Sequence, residues 1–157
     1  FRRSGFMDEI KEALRNSGLP PSLLELEVTE GTLMSNTEQA VALLNEVRDL
    51  GISVALDDFG TGFSSLSYLR DLPISKVKLD RLFISGISRN VKNAAIVQGV
   101  ITMAHHLELS VVAEGIETKE EQVDLQQRHC NLLQGFYFSK PVPFDVLKYL
   151  PPILTPL

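Results

Sequence analysis

Cysteine is nearly missing from this sequence, with Cys130 the one thiol in 157 residues. A single cysteine excludes an intrachain disulfide and any disulfide scaffold, so a reducing cytoplasm is the expected compartment. A small core residue is the expected role for Cys130, ahead of a nucleophile. Positive charge is short as well: 15 Lys and Arg stand against 20 Asp and Glu, for a net charge of −5. No basic stripe offsets that balance, which argues against a generic binder of nucleic-acid polymers or membrane surfaces. A polyanionic ligand would have to be held by metals or by a few placed cations. Long apolar runs are missing too. The stretch from Ile96 to Ala104 is interrupted by Gln98 and is too short to span a bilayer. The start, Phe1-Arg2-Arg3-Ser4-Gly5, has no apolar signal core and no initiating Met, so a fragment or processed chain is expected.

What is present is a soluble globular composition, 44% hydrophobic and 22% charged, in a length that suits one domain with a sizeable core. Within it, Val54-Ala55-Leu56-Asp57-Asp58-Phe59-Gly60-Thr61-Gly62 ends a short apolar strand in two adjacent carboxylates before a glycine-rich turn. Adjacent anions repel, and each costs free energy to desolvate, so a cation is expected there, a divalent metal above all. A solvated Asp-Asp turn is the plainer alternative. Four more strand-like runs follow the same design. Leu23 to Glu30 ends in acid, Ile74 to Asp80 carries Lys78, Leu109 to Gly115 carries Glu114, and Leu132 to Phe136 carries Gln134.

Helical stretches separate these runs. The spacing predicts helices over Phe6–Asn16 with Gly18 as the stop, from an Asn36 N-cap to Gly51, after Ser64 or Ser65, and over Val91–Leu107. Thr118 and Glu121 form a capping box for another, ending near Arg128, and Pro143 opens the last. Pro151, Pro152 and Pro156 leave the C-terminus irregular. Strands alternating with helices imply a parallel sheet, whose chemistry gathers at the strand C-terminal ends. Alternation puts Glu25, Glu27 and Thr29 on one strand face, and Lys76, Lys78 and Asp80 on one face of another. A charged face suits a barrel lumen better than a sheet covered by helices on both sides. The expected fold is therefore α/β, a (β/α)₈ TIM-barrel-like architecture represented here by an incomplete barrel of about five strands. A whole barrel takes about 250 residues, so the remainder is expected upstream.

Taken in order, Glu27-Val28-Thr29-Glu30, Asp57 to Leu66, Lys78-Leu79-Asp80, Ala113 to Thr118 and Gln134 to Pro141 resemble the ordered motifs of the EAL family, bacterial cyclic di-GMP phosphodiesterases. The resemblance covers nearly the whole chain, making residues 1–157 the C-terminal part of a single EAL-type domain. The Glu-Ala-Leu motif and the Asn of the next family strand are absent. Glu12-Ala13-Leu14 spells similar letters but lies on the helix before the Glu27 strand, out of order. The resemblance implies that Glu27, Asp57, Asp58 and Glu114 ligate two Mg²⁺ or Mn²⁺ ions, with Gln134 near them through water. It implies that Lys78 positions the attacking water or stabilises charge, and that Glu117 is a second acid supporting the site. Glu30 would anchor the Asp57–Leu66 loop, through which a homodimer would form. Oxygen donors suit hard divalent ions, and an Asp pair can bridge two metals about 3.5–4 Å apart.

Plainer roles stand beside these. Glu27, Glu114 or Gln134 could each be a strand-end residue facing water, and Lys78 could pair with Asp80 or Glu27. Glu25 and Lys76 belong to the opposite rim or lower lumen. His105 and His106 are packing or surface residues. Three functions follow: hydrolysis of cyclic di-GMP to linear pGpG in bacterial second-messenger signalling, a catalytically inactive cyclic di-GMP receptor or interaction module, or a Schiff-base lyase using Lys78.

Overall fold

The computed structural model describes residues 5–34, 37–60, 66–130 and 132–149. Five strands are hydrogen-bonded in the order β1 (Glu25–Thr29), β2 (Ser53–Phe59), β3 (Lys76–Leu79), β4 (Ser110–Ala113) and β5 (Leu132–Leu133). Neighbouring pairs run parallel: Glu27 is in register with Ala55, Thr29 with Asp57, and Ala113 with Leu133. The expected α/β architecture with about five parallel strands is what the chain forms.

Contacts divide the chain into two compact units, Phe1–Val77 with Leu107–Leu109, and Lys78–His106 with Ser110–Leu157. In the first, α1 (Phe6–Ser17) stops at Gly18, whose φ of 69° is a left-handed cap that glycine adopts without steric penalty. Pro21–Leu23 forms one 3₁₀ turn, so β1 starts later than the apolar run suggests and Leu23 is left in solvent. It also ends sooner. Glu30 opens a short helix, α2 (Glu30–Met34), instead of closing the strand. Next, α3 (Thr37–Asp49) packs on β2, burying Leu44 and Val47 completely. Each such side chain contributes about 1.5–3 kcal/mol on leaving water. The Asn36 cap lies outside the described residues, as do Ser64, Ser65 and the terminal prolines. A short helix does follow the turn, α4 (Leu66–Asp71). Lys76 bonds Glu25 at 2.6 Å, and Ser53 Oγ donates to the same carboxylate. All three residues start their strands, which puts this polar group at the strand N-terminal ends, as expected for Glu25 and Lys76.

In the second unit, α5 (Arg81–Ile84) follows β3 at once, capped by Asp80, whose Oδ1 accepts from the Leu82 N–H at 2.8 Å. A 3₁₀ turn, Ile87–Arg89, leads into α6 (Val91–His106), which packs on β4 with Val97, Ile101 and Ala104 buried. Helix α7 (Lys119–Gln127) carries the expected Thr118–Glu121 capping box, and α8 (Phe144–Leu147) follows Pro143. Cys130 is buried beside Val111, a core residue as expected. Among the described residues no helix is long and apolar enough to cross a membrane.

Candidate functional site

Parallel register sets the geometry of the first unit's carboxylates. Glu27 faces Ala55 and Thr29 faces Asp57, and side chains two residues apart share a strand face. Glu27 and Asp57 therefore lie on one face, a single rung apart. Strand alternation would send Asp58 to the other face, but its φ of 56° breaks the extended backbone there. Asp is among the few non-glycine residues that enter this left-handed region readily. The Asp58 N–H donates to Asp57 Oδ1 at 2.9 Å, so the pair is tied by its own backbone. Gly60, at φ 93°, turns the chain next, and residues 61–65 of the loop lie outside the described residues. Glu30 is buried at the start of α2, and neither of its oxygens has a hydrogen-bond partner among the described residues. The expected anchoring of the Asp57–Leu66 loop by Glu30 thus falls partly on residues that are not described.

The second unit gathers Lys78, Glu114, Glu117 and Gln134. Lys78 Nζ lies 2.7 Å from Glu114 Oε1, and both side chains are largely withdrawn from water. Backbone bonds hold the strand ends: the Glu114 N–H donates to the Leu79 carbonyl at 3.0 Å, and the Gln134 N–H to Ala113 at 2.9 Å. Ile116 then clasps the β5 end, donating to the Gln134 carbonyl and accepting from the Tyr137 N–H. A Cβ on Gly135 would sit 2.1 Å from the Ile116 carbonyl oxygen, so only glycine permits this approach. Gly115, at φ 70°, is also crowded, because a Cβ there would meet the Arg81 stem at 2.6 Å.

Two groups had escaped the sequence reading. Arg81 pairs with Glu117 at 2.9 Å, and half-exposed Phe136 has Lys140 Nζ 5.9 Å from its ring centroid. With Asp80, Glu114 and Gln134 they line an open cavity of about 610 Å³. A cationic residue directly after the Lys78 strand was the available signal for Arg81.

The donors expected for metal are all oxygens: Glu27, Asp57 and Asp58 in the first unit, Glu114 and Gln134 in the second. That chemistry fits Mg²⁺ or Mn²⁺, hard ions that favour carboxylates and amide carbonyls. Among the described residues no three His, Cys, Asp or Glu side chains form a metal-holding group by themselves.

A family model described as EAL domain matches residues 1–141. Over 146 residues the chain is 47% identical to the cyclic di-GMP phosphodiesterase NbdA of Pseudomonas aeruginosa, covering 93% of this chain and 19% of that protein. It is 41% identical to the bifunctional diguanylate cyclase/cyclic di-GMP phosphodiesterase MucR of the same organism, covering 94% and 22%. The chain spans about a fifth of the length of these curated relatives. Among solved structures, the Pseudomonas MucR phosphodiesterase in complex with c-di-GMP superposes with a TM-score of 0.88 at 40% identity, over 93% of this chain and 59% of that one. A manganese/c-di-GMP complex of BlrP1 from Klebsiella pneumoniae gives 0.84 at 35% identity, over 89% and 36%.

Proposed function

This chain belongs to the EAL domain family, and on that premise we propose that it forms the C-terminal part of a metal-dependent phosphodiesterase that hydrolyses cyclic di-GMP to linear pGpG. The observation that carries the reading is the Lys78–Glu114 pair, a buried lysine on a largely withdrawn carboxylate, at the C-terminal ends of β3 and β4. A buried ion pair is seldom retained for stability alone, since desolvating two charges offsets most of their attraction. Strand C-terminal ends are where barrel enzymes keep their chemistry.

Glu27, Asp57, Asp58 and Glu114 would hold Mg²⁺ or Mn²⁺, with Gln134 near them through water. Bound there, the ions would lower the pKa of a water and neutralise the phosphodiester. Lys78 donates to the attacked phosphate and offsets the negative charge that develops on it. Glu117, held by Arg81, supports the site from the β4–α7 loop. Glu30 and the Asp57–Leu66 loop link site order to a homodimer. Incubating the intact protein with cyclic di-GMP, with Mn²⁺ and with excess chelator, tests the reading. Metal-dependent release of pGpG supports it, and binding without turnover would favour a receptor.

A further inference from the structure

One carboxylate outside the proposed site residues joins three backbone amides from two separate segments. Glu121, on the first turn of α7, is buried, and its Oε2 accepts from the N–H groups of Glu117 at 2.9 Å and Thr118 at 3.1 Å. The other oxygen, Oε1, accepts from the Gly86 N–H at 3.0 Å, 35 residues away in sequence. A capping box needs only the bond to the N-cap amide. The reach to Gly86 serves something else.

The bonds close a circuit. Glu121 holds the Glu117 backbone, the Glu117 carboxylate holds the Arg81 guanidinium, Arg81 opens α5, and the residues just beyond α5 lead to Gly86, which returns to Glu121. Both ends of α5 are thereby fastened to the β4–α7 loop. The Arg81 stem lies against Gly115, where any side chain would collide with it. The start of α5 is three residues beyond Lys78, so freedom in this circuit is freedom at the site.

We infer that Glu121 is a positioning residue for the proposed phosphodiesterase reaction, fixing the Arg81–Glu117 pair relative to Lys78 by tying the β4–α7 loop to Gly86. The inference rests on the proposed activity for its kinetic consequence and on hydrogen bonds alone for its structural one.

The Glu121→Gln variant separates positioning from capping. Its amide oxygen can still accept from Glu117 and Thr118, while its NH₂ meets the Gly86 N–H donor to donor and that arm is lost. Thr118→Ala is the complement, since it removes the hydroxyl that receives the Glu121 N–H and leaves the Gly86 arm intact. Both variants would be made in the intact protein, with kcat and KM measured for cyclic di-GMP and backbone hydrogen exchange followed over residues 81–90 and 114–118. For Glu121→Gln, kcat should fall about tenfold to a hundredfold with KM little changed, and exchange should rise at Gly86. Thr118→Ala should lower Tm and keep kcat. Wild-type kcat in Glu121→Gln, with Gly86 exchange raised, would overturn the positioning role. Unchanged exchange would overturn the tether itself. Should the wild-type protein not turn over cyclic di-GMP, the proposed activity fails, and exchange still decides the tether.

Discussion

Lys78 and Glu114 meet at 2.7 Å across adjacent strand ends, with only 6% and 20% of their side chains in contact with solvent. The lysine thus neutralises a carboxylate that is proposed to hold a metal. Removing it leaves a largely withdrawn anion without this partner, a change worth about 3–5 kcal/mol for a fully buried pair and less at the 20% exposure of Glu114. Lys78→Met should therefore lower thermal stability without metal and enlarge the Tm gain on adding Mn²⁺. The same variant should lower kcat far more than it raises KM. Calorimetric titration with Mn²⁺ beside steady-state kinetics checks both, and unchanged metal affinity with normal kcat would contradict the assignment.

Asp57→Asn keeps the shape of the side chain, and its amide oxygen can still accept from the Asp58 N–H. The fold should survive, by circular dichroism and Tm, while activity of the intact protein drops by orders of magnitude at saturating Mn²⁺. Undiminished turnover would remove Asp57 from the metal set.

Position 58 offers a test of backbone strain. Asp58→Asn should fold normally, because Asn shares the tolerance of Asp for positive φ. A β-branched Val at the same φ of 56° should cost about 1–2 kcal/mol, measurable by urea unfolding. Equal stability of the two variants would mean the turn relaxes freely.

Acid should weaken the Glu121 tether. Burial alone would raise the pKa of this carboxyl, but the N–H groups of Glu117, Gly86 and Thr118, with the Thr118 hydroxyl, outweigh it and hold it below the ordinary value. A folded-state pKa below the unfolded one, about 4.3, gives stability that is complete above that pH and is lost as pH falls through the lower folded value. The stability difference between wild type and Glu121→Gln should accordingly be constant near neutrality and shrink in strong acid. Unfolding curves over that range report it directly.

Cys130 should be inert in the native protein. Burial pushes its thiol up to about 11, against the smaller opposing effect of backbone hydrogen bonds near Leu132 and Ala113, so almost no thiolate exists at pH 7. Alkylation should be very slow until denaturant is added, and then stoichiometric. Fast labelling of the folded chain would mean that the core around Val111 opens readily.

Local signals in the sequence carried much of this structure. Thr118 and Glu121 announced α7 because a capping box is complete within four residues, and Gly18 marked the end of α1 because glycine takes the left-handed φ of a helix C-cap without steric penalty. Arg81–Ile84 was not foreseen, since one helical turn has no periodicity to detect. Glu30 was read as a strand end because nothing in a β-like run tells the last strand residue from the first helical one. The pairing of Lys78 with Glu114 was likewise illegible. Asp80 and Glu27 were the partners weighed in the sequence, and the bond to Glu114 spans 36 residues. Pairing of that kind is set by strand order, which spacing alone does not give.

The clasp between Ile116 and Gly135 has a consequence for motion. Two backbone hydrogen bonds and a contact that excludes even a methyl group leave the loops after β4 and β5 no independent path. A displacement of Gln134 must carry Ile116 with it, and Ile116 sits between Glu114 and Glu117. Any ligand that draws Gln134 toward itself therefore moves a proposed metal ligand and its supporting acid in the same step. An engineer regrafting either loop would have to transplant both.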